Sequence, residues 1–389
     1  MDFPKVNAHL HTPFSFSAFG DIEDALDRAV AEQVKVVGIN DFYTAEGYEE
    51  WVEGCRQRSL YPLFGIEFIS LNEEDQKAGL RVNDPGNPGR TYISGKGLSQ
   101  PFRLNEPYAS QLADVRAEAN RQVEAMCEKL NGILTGKNVG FILDMDWIKD
   151  NLTRGSVRER HLAKALRLKV YENCGDAPTD IKNLLEEIFD GRELKSDTEN
   201  FAGVENEIRA NLLKAGGPAF VPETAEAFLP MQTVCKIILA AGGIPTYPFL
   251  ADDVQGNYTD FERDLKHVAE QLAGRGFHSV EFITTRNDVN LLENYASYLH
   301  DRGFIVTLGS EHNSPQMEPL ELFARNQTPL SEKLKRINYE GACVIAAHQY
   351  LVAQGLSGYV DQQGGADRSK RGEFVKLGDE LIRNRVGKQ

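Results

Sequence analysis

Segments with strand character alternate with segments of helix character in two separate parts of this chain. Near the start, residues 5–11, 34–40 and 60–70 read as strands, with amphipathic helices at 21–33 and 45–58. The alternation returns later, with strands at 243–248, 279–284 and 304–310 and helices at 225–241, 260–274 and 289–301. Such alternation is typical of βαβ units around a parallel sheet. A short strand at 91–94 brings the total to about seven strands, sufficient for a closed parallel barrel.

The stretch between the two alternating parts is mostly helical. Its predicted helices cover residues 108–130, 157–171, 179–189 and 204–214, and a further long helix is predicted at 330–354. We therefore predict a discontinuous barrel domain made of residues 1–100 and 231–325. Residues 101–230 form a helical insertion in this prediction, and residues 326–389 a helical C-terminal extension.

Charge and cysteine content restrict the classes of partner. The net charge is −15, whereas proteins that grip nucleic acid by its phosphates show a basic balance or patch. The five cysteines are odd in number, lie far apart and form no C-x-x-C, which favours reduced thiols. No signal-peptide pattern and no apolar run of about 20 residues is present. We expect a cytoplasmic protein that binds a small anionic ligand and neither nucleic acid nor a membrane.

Two histidines lie at the end of the first predicted strand, in Val-Asn-Ala-His-Leu-His-Thr. Residues two apart on a strand face the same side, so His9 and His11 both point into the mouth of the predicted barrel. Reactive residues of parallel α/β barrels gather at the carboxyl ends of the strands. The pair is a candidate half of a metal site, and the alternative is a hydrogen-bonded pair of core histidines.

Acidic residues follow other predicted strands. Glu67 lies inside an apolar strand, where a carboxylate is costly to bury unless it is paired or coordinates a cation. Asp41 is a candidate hydrogen-bond acceptor or weak ligand, and otherwise a helix cap. Glu311 and His312 follow the last strand as a second metal-capable cluster, or as solvated loop residues. Glu281 faces inward from another strand, and ligand and structural roles both remain open.

Taken together, the H-x-H, the following Asp, the G-x-E and the final G-S-acid-His resemble the PHP (polymerase and histidinol phosphatase) superfamily. No nucleophile elbow, Walker A loop or dinucleotide fingerprint competes with this resemblance. The resemblance implies an α/β fold, a distorted (βα)7 TIM-like barrel, with up to three metals and phosphoesterase activity. It implies that His9, His11, Glu67 and Glu311 hold one metal.

The same comparison shows departures from the family pattern. Phe42, Tyr92 and Tyr247 stand where the family has histidines, and Asn313 takes the place of the final histidine, with His312 one residue early. The resemblance therefore implies one or two ions of Zn, Mn or Fe instead of three. The two tyrosines are candidate hydrogen-bond donors to an anion.

Basic residues supply candidates for binding that anion. Arg158, His161 and Lys164 follow one another at spacings of three on a predicted helix of the insertion. Arg286 follows the strand at 279–284. A bidentate Arg over the barrel mouth suits phosphate or carboxylate, and the alternative is a solvated basic face.

The leading functional hypothesis is a metal-dependent hydrolase, a phosphoesterase that acts on a small phosphorylated substrate through a metal-activated water. Asp41, Glu67, Glu311 and His312 are its candidate catalytic residues, and Glu67, Glu311 or His312 its candidate general base. Arg158, His161, Tyr92, Tyr247 and Arg286 are its candidate substrate-binding residues. One alternative is a catalytically inactive PHP-fold protein that binds a small anion or has a regulatory role. Another is metal-assisted chemistry on a carboxylated sugar or an amide.

Overall fold

A computed structural model describes residues 3–175, 177–253 and 255–387 of the chain. The strands are Lys5–Leu10 (β1), Val34–Phe42 (β2), Tyr61–Leu71 (β3), Arg90–Lys96 (β4), Leu229–Pro230 (β5), Ile244–Phe249 (β6), Ser279–Ile283 (β7), Ile305–Gly309 (β8), Phe323–Ala324 (β9) and Thr328–Pro329 (β10). The α-helices are Ile22–Ala31 (α1), Tyr48–Gln57 (α2), Glu73–Lys77 (α3), Tyr108–Gly136 (α4), Met145–Leu152 (α5), Glu159–Cys174 (α6), Pro178–Ile188 (α7), Phe201–Ile208 (α8), Met231–Ala240 (α9), Leu265–Gly274 (α10), Val289–Asp301 (α11), Glu332–Ala353 (α12) and Arg371–Val386 (α13). None of the described helices is long and apolar enough to cross a membrane.

The main sheet is a nearly closed barrel of seven strands in the order β1-β2-β3-β4-β6-β7-β8, with β5 attached to the edge of β3. Its first and last strands meet at the carboxyl ends, where Leu10 and Glu311 form a parallel bridge. The His11 N–H donates to the Glu311 carbonyl at 2.7 Å, and the Glu311 N–H donates to the His9 carbonyl at 3.0 Å. The prediction of an α/β, distorted TIM-like barrel is confirmed.

One strand of the barrel runs in an unexpected direction. The sequence predicted a parallel barrel, but β4 is antiparallel to both β3 and β6. The connection from β3 to β4 holds only the five-residue helix α3, which is too short to carry the chain back along the sheet as a parallel crossover requires. As a result, Tyr92 near the start of β4 lies toward the rim formed by the carboxyl ends of the parallel strands, and Lys96 at its end lies toward the opposite end of the barrel.

Apolar faces of the surrounding helices pack against the barrel in two hydrophobic clusters, and most apolar residues of α12 and α13 belong to the smaller one. Helix α12 lies against β1 and β8, and α13 packs on α12. The approach is close, because a Cβ at Gly341 of α12 would lie 2.1 Å from the Val306 carbonyl oxygen. A Cβ at Gly378 of α13 would lie 1.9 Å from the Cys343 carbonyl oxygen. The two C-terminal helices therefore complete the barrel wall; a division at residue 326 stays a prediction.

Helices α4–α8 carry a hydrophobic cluster of their own, between Val123 and Ala219. This part of the chain touches the loop that follows β1. The backbone N–H groups of Arg154 and Ser156 donate to the carbonyls of Pro13 and Phe14 at 3.1 and 3.3 Å. The insertion therefore reaches the rim at which β1 ends.

Most predicted elements agree with the structure to within a few residues, and Asp21 caps α1 by accepting from the Asp24 N–H. Three differences have local causes. The helix predicted at 225–241 begins only at Met231, because Pro230 ends the preceding two-residue strand. The helix predicted at 260–274 begins at Leu265, after its N-cap Asp264. Helix α5 was not predicted, since eight residues give too short a periodic pattern.

Candidate metal centre

Strand β1 and the residue directly after it place two imidazoles at one point of the barrel mouth. His9 and His11 are both fully buried, and their Nε2 atoms lie 3.2 Å apart. The two residues are separated only by Leu10, the last residue of β1, and residues two apart on extended backbone face the same side. Among the described residues, His9, His11 and Glu67 form the group whose ligand atoms all lie within 4.8 Å of one another.

Glu67 completes this group from β3. Its Oε2 atom lies 3.1 Å from His11 Nε2 and 3.8 Å from His9 Nε2. Glu67 is buried, and Oε2 has no hydrogen-bond partner in the described part of the chain. Two ligands bound to Zn at about 2.0–2.1 Å in tetrahedral geometry are separated by roughly 3.3 Å. The three atoms thus have spacings suited to one small cation, and the unsatisfied carboxylate oxygen is the atom that such a cation would bind.

Hydrogen bonds on the far side of each ring prepare both Nε2 atoms as acceptors. His9 Nδ1 lies 2.9 Å from Glu281 Oε2. His11 Nδ1 lies 3.2 Å from the Ser15 hydroxyl, which donates to Asp41 Oδ1 at 2.6 Å. Both partners accept from Nδ1–H, so each Nε2 keeps its lone pair. In metal sites of proteins, hydrogen bonds from the second ring nitrogen fix the tautomer and the orientation of the ligating histidine in this way.

Burial acts on the ionisable groups of this cluster. It raises the pKa of Glu67 to about 8 and lowers the pKa of His11 below its ordinary value, against the opposing effect of Asp41. Burial also raises the pKa of Asp41, which holds Thr12 through both its backbone N–H and its hydroxyl. At neutral pH and without a bound cation, burial therefore favours an uncharged His11 imidazole and an uncharged Glu67 carboxyl. A bound cation would supply the charge that keeps Glu67 ionised.

Glu311 lies at the same rim but its side chain turns to another partner. Its Oε2 forms an ion pair with Arg286 Nη2 at 2.5 Å. Burial works to raise the pKa of Glu311, but Arg286, with smaller contributions from His9 and His11, holds it below the ordinary value. Glu311 is outside the group of mutually close ligand atoms and lines the adjoining cavity. The assignment of Glu311 to the same metal as His9, His11 and Glu67 stays a prediction, and in this structure its side chain is paired with Arg286 instead.

Phe42 and Arg158 form a stack on the metal group. The Phe42 ring lies parallel to the His11 ring with centroids 4.9 Å apart. The Arg158 guanidinium lies 4.6 Å from the Phe42 centroid, on the cavity side. Tyr92 also lines the cavity and contacts Phe42 edge-on. A substrate in the cavity would therefore meet an arginine and a tyrosine beside the metal group.

Three further candidates from the sequence point elsewhere. His312 has both ring nitrogens engaged, Nδ1 with the Ser310 hydroxyl at 2.9 Å and Nε2 with the Glu318 carbonyl at 2.8 Å. His161 accepts the Arg158 backbone N–H at 2.9 Å through Nδ1, and burial lowers its pKa to about 3. The Tyr247 hydroxyl donates to Glu262 at 2.7 Å, in a fully buried position. These three side chains do not line the cavity.

The cavity beside the metal group has a volume of about 430 Å³ and a cationic lining. Its cationic side chains are Arg158, Arg160, Arg209, Lys214 and Arg286. Sequence reasoning missed Arg160, Arg209 and Lys214. Arg160 adjoins a residue that was chosen, and the other two lie some fifty positions away. Only the folding of the insertion brings α6 beside the end of α8, where Arg209 pairs with Glu159 at 2.5 Å.

One protein family model matches the part of the chain that contains the metal group. Residues 7–135 match the family model of the PHP domain. This part of the chain is similar to the PHP domain. The match begins at the strand that carries His9 and His11, so it includes all three members of the metal group. A comparison with curated protein sequences finds no match.

Two solved structures share the barrel architecture of this chain. One is a candidate metal-dependent phosphoesterase from Bifidobacterium adolescentis, with TM-score 0.54, 15% identity, and coverage of 86% of this chain and 95% of that one. The other is an amidohydrolase from Chromobacterium violaceum whose structure contains sulfate and no metal, with TM-score 0.52, 15% identity, and coverage of 86% and 96%. At this identity the similarity concerns the fold.

Proposed function

We propose that this PHP protein is a metal-dependent hydrolase, a phosphoesterase that acts on a small phosphorylated substrate. The observation that carries the proposal is the group of three close ligand atoms, on His9, His11 and Glu67, next to a cavity with a cationic lining. Metal-capable groups alone would fit many reactions. A metal group that shares its cavity with several arginines fits an anionic substrate in particular.

The charge pattern of the cavity favours an anion although the whole chain carries −15. Five cationic side chains line it, against the four acidic residues Glu67, Asp84, Glu159 and Glu311. Glu159 and Glu311 are already paired with Arg209 and Arg286. Arg158, Arg160 and Lys214 form no ion pair with any described residue. A phosphoryl group would supply the missing negative charge.

The donor set suits Zn, Mn or Fe, and we propose one or two ions. A divalent cation, when bound, polarises a phosphoryl oxygen and lowers the pKa of water. His9, His11 and Glu67 would hold it, with Asp41 supporting His11 through Ser15. Phe42 offers no ligand atom beside His11, which is our reason for expecting fewer than three ions.

The remaining roles follow from which groups face the cavity. Arg158 and Arg286 would bind the phosphoryl oxygens, and the Tyr92 hydroxyl would donate to the same anion. Glu311 is ionised beside Arg286 and faces the cavity, so it is the carboxylate best placed to accept a proton from the attacking water. His161 contributes indirectly, since it fixes the backbone at Arg158.

The test is a metal analysis followed by an activity panel. The purified protein would be loaded with Zn, Mn or Fe(II), its metal content measured, and hydrolysis of phosphomonoesters, phosphodiesters and amides recorded. We expect fewer than three ions per chain and phosphoester hydrolysis that disappears in the His9→Ala, His11→Ala double variant. His267→Ala, at an exposed histidine remote from the metal group, is the matched control and should keep full activity.

A PHP-fold protein that binds a small anion without catalysis is the second candidate. The observation in its favour is that Phe42 and Tyr247 leave no ligand atom at two positions where the PHP resemblance places histidine. This candidate replaces the first if the metal-loaded protein hydrolyses no phosphoester while inorganic phosphate raises its melting temperature. Hydrolysis of amides alone would instead favour metal-assisted amide chemistry.

A further inference from the structure

A buried lysine reaches the metal group from below. Lys96 is the last residue of β4, and only 2% of its surface is exposed. Its Nζ donates to the Ala8 carbonyl and to Asn40 Oδ1, each at 3.1 Å, and lies 2.7 Å from Glu281 Oε2. The antiparallel direction of β4 makes this possible. A strand that ends at the floor can send a long side chain up the barrel axis toward residues at the mouth.

The ion pair between Lys96 and Glu281 is an expensive way to fill a barrel core. Both residues are buried, and removing two charges from water costs several kcal/mol per ion before their attraction is counted. In addition, Glu281 Oε1 has no hydrogen-bond partner within residues 3–175, 177–253 and 255–387. Apolar side chains of similar size would often be at least as stable. A role other than stability is therefore the better explanation of this pair.

That role is visible at Glu281 Oε2, which contacts two groups at once. The same oxygen lies 2.7 Å from Lys96 Nζ and 2.9 Å from His9 Nδ1. A carboxylate only accepts hydrogen bonds, so His9 must carry its proton on Nδ1 and leave Nε2 unprotonated. Lys96 also holds Asn40, whose Nδ2 lies 3.1–3.2 Å from the two ring nitrogens of His9. One lysine thus contacts two of the groups that surround this imidazole, Glu281 and Asn40.

We propose that Lys96 and Glu281 are a positioning pair that fixes the tautomer and the ring orientation of His9 for metal binding. The inference rests on the metal site of the proposed function but not on the identity of the substrate. It also separates the two histidines. His9 is held by an ionic pair, whereas His11 is held by the neutral Ser15 hydroxyl.

The experiment compares Glu281→Gln with a matched control, Glu262→Gln. Glu262 is also a fully buried carboxylate, but it accepts from Tyr247 and from backbone N–H groups and contacts no metal ligand. The measurements are the dissociation constant of the metal by chelator competition, the melting temperature, and the tautomer of His9 in metal-free protein by ¹⁵N NMR. Lys96→Met is the companion variant, since it keeps most of the length of the side chain and removes the charge.

We expect Glu281→Gln to weaken metal binding by roughly 10–100-fold, the usual effect of removing a residue that supports a ligand. The Nδ1–H tautomer of His9 should lose its dominance. Lys96→Met should weaken metal binding by a smaller factor, and Glu262→Gln should leave both metal affinity and the tautomer unchanged. Glu281→Asp should restore part of the metal affinity, because it keeps the carboxylate but shortens its reach.

Two results would overturn the inference. One is wild-type metal affinity and an unchanged His9 tautomer in Glu281→Gln. The other is an equal loss of metal affinity in Glu262→Gln, which would show that any buried carboxylate near the rim has the same effect. A wild-type protein that binds metal without hydrolysing phosphoesters would contradict the proposed function and leave this test intact. If the wild type binds no metal, the His9 tautomer in the metal-free wild type and in Glu281→Gln still shows whether Glu281 fixes it.

Discussion

Two short segments meet at the mouth of the barrel, and they use their metal-capable residues differently. At the end of β1, His9 and His11 hold their Nε2 atoms close to each other and to Glu67. After β8, Glu311 forms an ion pair with Arg286, and both ring nitrogens of His312 form hydrogen bonds to nearby residues. The first segment presents side chains to a cation, while the second contributes its backbone to barrel closure.

Backbone conformation explains the difference. His9 lies on the extended backbone of β1, which continues to Leu10, so its side-chain direction follows the alternation of a strand. Glu311 and His312 have positive φ angles of 67° and 60°, a conformation that is uncommon for residues other than glycine. Two successive left-handed residues redirect the side chains that follow β8. Residue types alone therefore do not show whether a motif presents ligands.

The largest effect should come from the first segment. Replacing both His9 and His11 by Ala removes two of the three close ligand atoms, so metal affinity should fall by more than the roughly 100-fold typical for loss of a supporting residue. Isothermal titration with Zn or Mn measures this. Retention of a stoichiometric metal in the double variant would place the metal site elsewhere.

The next largest effect on metal affinity should appear when Glu67 and Glu311 are replaced in turn. Glu67→Ala removes a ligand atom and should weaken metal binding by well over tenfold. Glu311→Ala removes a side chain already paired with Arg286, so the loss should stay within about tenfold, the lower end of the range for supporting residues. Equal losses would mean that Glu311 leaves Arg286 and joins the metal when it binds.

A pH effect on the metal-free protein should be smaller. Burial raises the pKa of Glu67 from 4.5 to about 8, so between these values the folded state holds a proton that the unfolded state has released. The free energy of unfolding should therefore fall as pH rises through that window. Glu262 should contribute a similar slope, since burial raises its pKa to about 8 too.

Denaturant unfolding at several pH values between about 5 and about 8 tests the slope. Glu67→Gln should remove the contribution of Glu67 to the slope of unfolding free energy against pH, and Glu262→Gln should remove the contribution of Glu262. Saturating metal should remove only the Glu67 part, because the cation keeps that carboxylate ionised. A slope that metal leaves unchanged would argue that Glu67 is not a ligand.

The smallest effect on the metal should come from His312. His312→Ala removes hydrogen bonds to Ser310 and Glu318 and a stacking contact with Phe19. The free energy of unfolding should fall by about 1–3 kcal/mol, with metal affinity unchanged within error. Urea unfolding and metal titration on the same sample check both. A large loss of metal with unchanged stability would assign His312 a ligand role.

Much of the barrel could be predicted because it depends on local pattern. The alternation of strands and helices and the inward direction of His9, His11 and Glu67 need only the periodicity of regular elements. The direction of β4 could not be predicted, since it depends on whether α3 carries the chain across the sheet. Nor could the position of Tyr247, whose hydroxyl is bound by Glu262 from a later loop.

The sequence by itself determined which residue types stand at the ends of strands, and hence that two imidazoles and a carboxylate meet at one rim. Tertiary structure decided which of the remaining polar groups are free. Arg286 forms an ion pair with Glu311, and the insertion adds Arg160, Arg209 and Lys214 to the lining of the cavity. The antiparallel direction of β4 places Lys96 against Glu281, next to His9. The physical reason is range: side-chain direction within a regular element depends on neighbours along the chain. Whether a polar atom is already satisfied depends instead on partners that can lie hundreds of residues away.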